Sequence, residues 1–158
     1  MFKLLLISMF LTACGTKADD FIRREVNPKP PAYSIDPVMQ PMIDQFMDDA
    51  HAYDADTSRA GYLRIAEFAE IGRDQVVGVC SEYTFSNGEL SYLQVTIRPD
   101  FAERLDSPSY AGLMYHELGH CILNLEHSET GIMAPVMYSE SYYEENWDEL
   151  VEELFTGE

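Results

Sequence analysis

The sequence predicts an α+β domain whose elements run helix, three strands, helix, loop, helix. Four observations carry that expectation. Val38, Met42, Phe46 and Met47 recur at helical spacing while Asp44, Asp48 and Asp49 stay polar between them, as in a helix with one buried face. Ser91 to Ile97 alternates apolar and polar residues, the period of a half-buried strand. Asn87-Gly88 just before it is a hairpin signal, because both residue types accept positive φ. Ser107-Pro108 supplies a cap and a first-turn proline for a helix running to Leu123.

Composition bounds the rest. The 158 residues are 46% hydrophobic and 12% aromatic, too apolar for a disordered acidic chain and enough for one core. A net charge of −18 argues against nucleic-acid binding, since phosphates need Lys and Arg to neutralise them. We expect a monomer.

Met1 to Ala13 has a charged start, an apolar run from Leu4 to Leu11 and a small-residue end, the pattern of an export signal. The run is far short of the ~20 residues that span a bilayer as a helix. Leu11-Thr12-Ala13-Cys14 resembles the lipobox of bacterial lipoproteins. That resemblance implies cleavage before Cys14, lipidation of its sulfur with acyl chains such as palmitate, and anchoring to the lipid bilayer of the cell envelope. Gly15 rather than Asp after the cysteine implies the outer membrane. Residues 14–35, with Asn27-Pro28-Lys29-Pro30-Pro31, read as an extended tether, because proline neither joins a helix interior nor pairs in a central strand.

The body spans 36–158. Asp36-Pro37 resembles a helix start, giving a helix over about 37–53, with His51 a solvated residue at its polar end. Strands are expected at Tyr62 to Phe68, Val76 to Phe85 and Ser91 to Ile97. Arg98-Pro99 ends the last of these, and a short piece from Asp100 to Leu105 precedes the Ser107 helix. A closing helix from Ser141 to Glu153 has a capping box, Ser141 with Glu144, and an apolar stripe of Tyr143, Trp147, Leu150, Val151 and Leu154. Its other face is acidic. Asp54-x-Asp56-x-Ser58 begins like a calcium loop, but Arg59 stands where glycine belongs and Ile65 where glutamate belongs, so it reads as a polar loop.

Three of the 4 histidines fall between residues 116 and 127. In a helix, residues i and i+4 share a face, so His116 and His120 can reach one ion. Zn2+ suits imidazole ligands, and a catalytic zinc site keeps three protein ligands plus an open position. Glu117 lies about 100° around the helix from His116, placed to contact water on the metal without ligating it. Asn124 suits a left-handed helix end, after which the chain can turn back and present His127 as third ligand.

These residues resemble the metzincin clan of zinc peptidases, whose signature is H-E-x-x-H-x-x-G-x-x-H followed by a Met-containing turn. Asn124-Leu125-Glu126-His127-Ser128 is similar to their Gly-Leu-Asp-His-Ser run, and Ile132-Met133-Ala134-Pro135 to their Met-turn, with Met133 in the Met position. The chain is closer still to small bacterial lipoproteins with a His-Glu-Leu-Gly-His-Cys helix, described as zinc metallopeptidases. The resemblance implies a small zincin-like domain with an N-terminal helix, a short twisted sheet, an active-site helix, a Met-turn and a C-terminal helix. It implies a membrane-anchored metalloprotease acting on a peptide or protein substrate. One departure stands out: the third His comes seven residues after His120, and Glu126 occupies the metzincin position. His127 is preferred over Glu126, because Asn124 is shifted by the same single residue. Met137-Tyr138 is a second candidate Met-turn; Tyr138 could stabilise an oxyanion, although packing is the commoner role of a tyrosine.

Cys80 and Cys121 remain. On the helical wheel Cys121 falls about 100° beyond His120, towards the sheet, and in an exported protein it is expected to pair with Cys80 as a disulfide rather than leave two buried thiols. The mechanism these residues imply is peptide-bond hydrolysis with Glu117 as general base. The alternative is a lipid-anchored zinc-binding or surface-interaction protein with no turnover.

Overall fold

A computed structural model describes residues 22–25 and 29–157. The expected signal, Met1 to Ala13, and the lipidation site Cys14 lie outside the described residues. The chain forms β1 (Ile22–Glu25), β2 (Ser34–Ile35), α1 (Gln40–Ala52), β3 (Leu63–Phe68), β4 (Gly78–Thr84), β5 (Leu90–Ile97), α2 (Pro108–Leu123) and α3 (Glu140–Thr156), with 3₁₀ turns at Ala60–Tyr62 and Pro99–Glu103. Among the described residues the architecture is α+β, three helices on a five-stranded mixed sheet of order β1-β4-β5-β3-β2. Only β4 against β5 is antiparallel.

The hairpin turns where expected: Gly88 has φ 84°, and the Phe85 amide closes on the Glu89 carbonyl at 2.8 Å. Along β5, Leu93, Val95 and Ile97 point into the core while Tyr92, Gln94 and Thr96 face outward. The outward face is polar, with Gln94 donating to Glu67 at 2.9 Å and Tyr83 stacked on Tyr92.

Two helices begin elsewhere than expected. α1 starts at Gln40 rather than near residue 37. Asp36 caps a separate turn, its carboxylate accepting from the Val38 amide at 3.1 Å, and Pro41 then fills the first turn of the helix, where its missing N–H costs nothing. α3 is capped by Ser139, whose hydroxyl accepts from the Tyr142 amide, so Ser141 lies inside the helix. Either serine could cap. The earlier start lengthens the helix while its stripe of Tyr143, Leu150, Val151 and Leu154 is buried.

Two strands were not foreseen. Ile22–Glu25, within the segment read as a tether, pairs parallel with β4, and Ser34–Ile35 pairs with β3. Both are short edge strands, and Arg23, Arg24 and Glu25 are exposed, a charged edge that discourages further pairing.

α2 lies at the centre. It touches β4 and β5 on one side and α1 and α3 on the other, and from Ser109 to Ile122 only Ala111 is not buried. Phe46 of α1 and Trp147 of α3 both meet Tyr115 edge-on, while Leu113, Leu118 and Cys121 belong to the same buried cluster as Val77, Cys80 and Val95. A helix wedged on all sides is held in rotation and height. Whatever side chains it presents at its open end are therefore held in place.

Candidate metal centre

Both ends of α2 form as its sequence dictates. Ser107 accepts from the Tyr110 amide at 3.2 Å, and Pro108 occupies the first turn. At the far end Asn124 is left-handed (φ 55°, ψ 36°), a conformation asparagine tolerates better than most residues. The Leu125 amide then folds back onto the Gly119 carbonyl at 3.1 Å.

His116 and His120 are each 2% exposed, and their ring nitrogens are committed in pairs. Nδ1 of His116 donates to the Ile132 carbonyl at 2.6 Å, and Nδ1 of His120 donates to the Leu125 carbonyl at 2.6 Å. A carbonyl can only accept, so in each neutral ring the proton is on Nδ1 and Nε2 carries a lone pair. The two Nε2 atoms face each other 3.1 Å apart. Two lone pairs aimed together at that distance repel unless a proton or a metal cation lies between them. In a tetrahedral site with metal–nitrogen bonds of 2.0–2.1 Å, ligand nitrogens stand ~3.3 Å apart.

His127 completes the group. Its ring centre lies 5.3 Å from that of His116 and 4.9 Å from that of His120, and one ligand atom from each of the three falls within 4.8 Å of the others. The three histidines could hold a metal ion. Two are buried and His127 is exposed, so the cluster opens to solvent on the His127 side. Glu126 is not in the group; it borders a recess with Thr130, Gly131 and Glu153.

Glu117 is fully buried. A Cβ on Gly78, the first residue of β4, would lie 2.3 Å from its Oε1 and 2.8 Å from Leu113 Cδ1. The space for this carboxylate thus exists because residue 78 has no side chain. Met133 is 5% exposed and packs beneath the ligand helix, its sulfur 2.6 Å from where a Cβ on Gly119 would stand. The neighbouring Ile132 carbonyl orients His116, so the Ile132-Met133 turn supports the site directly. Met137 is only partly buried against the core. Tyr138 packs at a tilt against Tyr142, 4.4 Å between ring centres, and its hydroxyl meets the Gly131 backbone, a packing role.

Sequence reasoning missed Gly78, Gly119 and the two orienting carbonyls. A signal existed for Gly119: glycine inside a helix is about 1 kcal/mol worse than alanine, which calls for a close neighbour. Cys80 and Cys121 form a disulfide with Cα atoms 5.6 Å apart, tying β4 to the helix one residue beyond His120. His51 is exposed at the end of α1.

Comparison with known proteins finds no matching family, no matching curated protein and no matching solved structure.

Proposed function

We propose that this chain is a zinc-dependent peptidase of metzincin-like type, tethered to the bacterial cell envelope, at the outer membrane, through lipid on Cys14. The observation that carries the reading is the convergence of two buried Nε2 atoms 3.1 Å apart, with a third imidazole on the exposed side and a buried glutamate next in sequence to the first of them. Three imidazoles fit zinc better than a hard cation, which takes oxygen ligands. Orientation by backbone carbonyls is the usual outer shell of a metal-bound histidine. Bound zinc supplies Lewis acidity, polarising a carbonyl and acidifying water to a pKa of ~7.

The remaining work falls to the chain. His116, His120 and His127 hold the ion, and the Ile132 and Leu125 carbonyls keep their two rings from turning. Glu117 takes the proton from the attacking water and returns it to the leaving amine nitrogen. A substrate cannot pair with β5, the strand before α2, as an edge-strand partner would. β5 is central, with β4 and β3 on its two sides. The outer edge of β4 is in turn occupied by β1.

The test is Glu117→Ala. It should retain zinc at wild-type stoichiometry and lose cleavage of a broad peptide library, while chelated wild-type protein loses it too. Unchanged cleavage in Glu117→Ala would remove the mechanism. Wild-type protein that retains zinc and cleaves no peptide would favour the non-catalytic zinc-binding lipoprotein.

A further inference from the structure

We infer that Arg59 is a positioning residue for the metal ligands, acting through the side chain of Asn124 and held in place by Glu82. The inference rests on the metal-binding part of the proposed function and is independent of peptidase activity.

The turn after α2 controls two of the three ligands. Leu125 is clamped there on both sides: its amide bonds to the Gly119 carbonyl, and its own carbonyl accepts from His120 Nδ1. His127 follows two residues on. A small rotation at Asn124 would therefore release the His120 ring and carry His127 away from the cluster. Left-handed φ and ψ alone do not fix this turn, because glycine would adopt them as readily.

Asparagine brings a side-chain acceptor as well, and the acceptor is used. One guanidinium nitrogen of Arg59 donates to Asn124 Oδ1, and the other donates to Glu82 Oε2. Glu82 belongs to β4, as do Gly78 and Cys80. Its side chain is 9% exposed and also accepts from Arg23 Nε at 2.8 Å. The planar fork of arginine thus bridges a residue of the sheet to the ligand turn, which a single-point ammonium could not do. Arg23 is mostly exposed, and an exposed pair contributes little. Arg59, with its side chain 18% exposed, is the better shielded of Glu82's two arginine partners.

The loop presenting Arg59 is itself braced. Asp54 is left-handed (φ 54°), the Asp56 carboxylate accepts from the Ser58 amide at 2.9 Å, and the Ala60 amide returns to the Thr57 carbonyl at 2.9 Å. The hydrogen bonds from Ser58 hold the Asp56 carboxyl below the usual range. The polar stretch that began like a calcium loop serves to aim an arginine.

The experiment uses the full chain and its Arg59→Ala, Asn124→Gly and doubly substituted forms. Zn2+ affinity is read by competition with a chromophoric chelator, and ligand geometry by the visible absorption of bound Co2+. Each single substitution should weaken Zn2+ binding by about threefold or more, less than the roughly tenfold cost of losing a group bonded directly to a ligand ring, and should dull the tetrahedral Co2+ spectrum. The double form should be no weaker than the weaker single one, because both substitutions cut the same link. Asn124→Gly keeps the turn, so it decides the matter even if Arg59→Ala fails to fold. Affinities within about twofold of wild type, or losses that multiply in the double form, would overturn the assignment. A wild-type chain that binds neither ion would remove the metal centre and this role together. Absence of peptidase activity alone would leave it standing.

Discussion

On the proposed mechanism, replacing Gly78 by alanine should separate the base from the metal. The added Cβ would stand 2.3 Å from Glu117 Oε1 and 2.8 Å from both Glu117 Cδ and Leu113 Cδ1, whereas such contacts normally lie near ~3.5 Å. The carboxylate must retreat by roughly 1 Å. Glu117 and Leu113 have flexible ends, so the fold should absorb the change at the low end of the overpacking range, about 1 kcal/mol. The three atoms nearest that Cβ belong to Glu117 and Leu113 rather than to a histidine, so zinc affinity should hold. A reacting group moved by about 1 Å costs on the order of 100-fold in rate, and that is the expected loss in kcat. The assay measures zinc stoichiometry, melting temperature and peptide cleavage on one preparation. Wild-type turnover in a folded, zinc-loaded Gly78→Ala protein would refute the reasoning, and so would loss of zinc with the fold intact.

Other consequences can be measured without a substrate. The Cys80–Cys121 bond spans a sequence separation of 41, and closing a loop of that size in the unfolded chain is worth about 4 kcal/mol in the chain-entropy treatment. Urea unfolding of oxidised against reduced protein, with Cys14→Ser so that only this pair oxidises, should show that difference; a gap under about 1 kcal/mol would contradict it. Tyr110 and Tyr143 are 1% and 3% exposed, and burial pushes each hydroxyl up to about 12. Burial and the Asp49 carboxylate, which accepts from its hydroxyl, push Tyr115 up as well. These groups keep their protons longer in the folded state than in the unfolded one. Their contribution is complete below pH ~10 and declines as pH rises towards about 12, by roughly 2 kcal/mol for each of Tyr110 and Tyr143. A urea midpoint that stays level between pH ~9 and ~11.5 would show that the buried hydroxyls do not oppose ionisation.

Much of the ligand helix was legible because its signals are local. Ser107-Pro108 starts it and Asn124 ends it through backbone geometry that neighbouring residues determine. The i and i+4 spacing puts His116 and His120 on one side of any helix. The same spacing turns Cys121 away from them, and the disulfide follows from that. The helix starts at Ser141 and Asp36 went astray for the same local reason: Ser139 and Ser141 have equal capping chemistry, and Pro41 was as good a first-turn proline as Pro37.

The sequence by itself determined which residues could converge on an ion, since helical periodicity and a left-handed asparagine act within a few residues of one another. Tertiary structure decided how those residues are held. The Ile132 carbonyl that sets the His116 tautomer lies 16 residues away, and Arg59 lies 65 residues from Asn124. Gly78 makes room for Glu117 only because β4 packs against α2. The central place of β5, which denies it to a pairing substrate, depends on strands drawn from both sides of it in the sequence. Strand order and carbonyl direction arise from long-range packing, and no pattern of neighbouring residues encodes them.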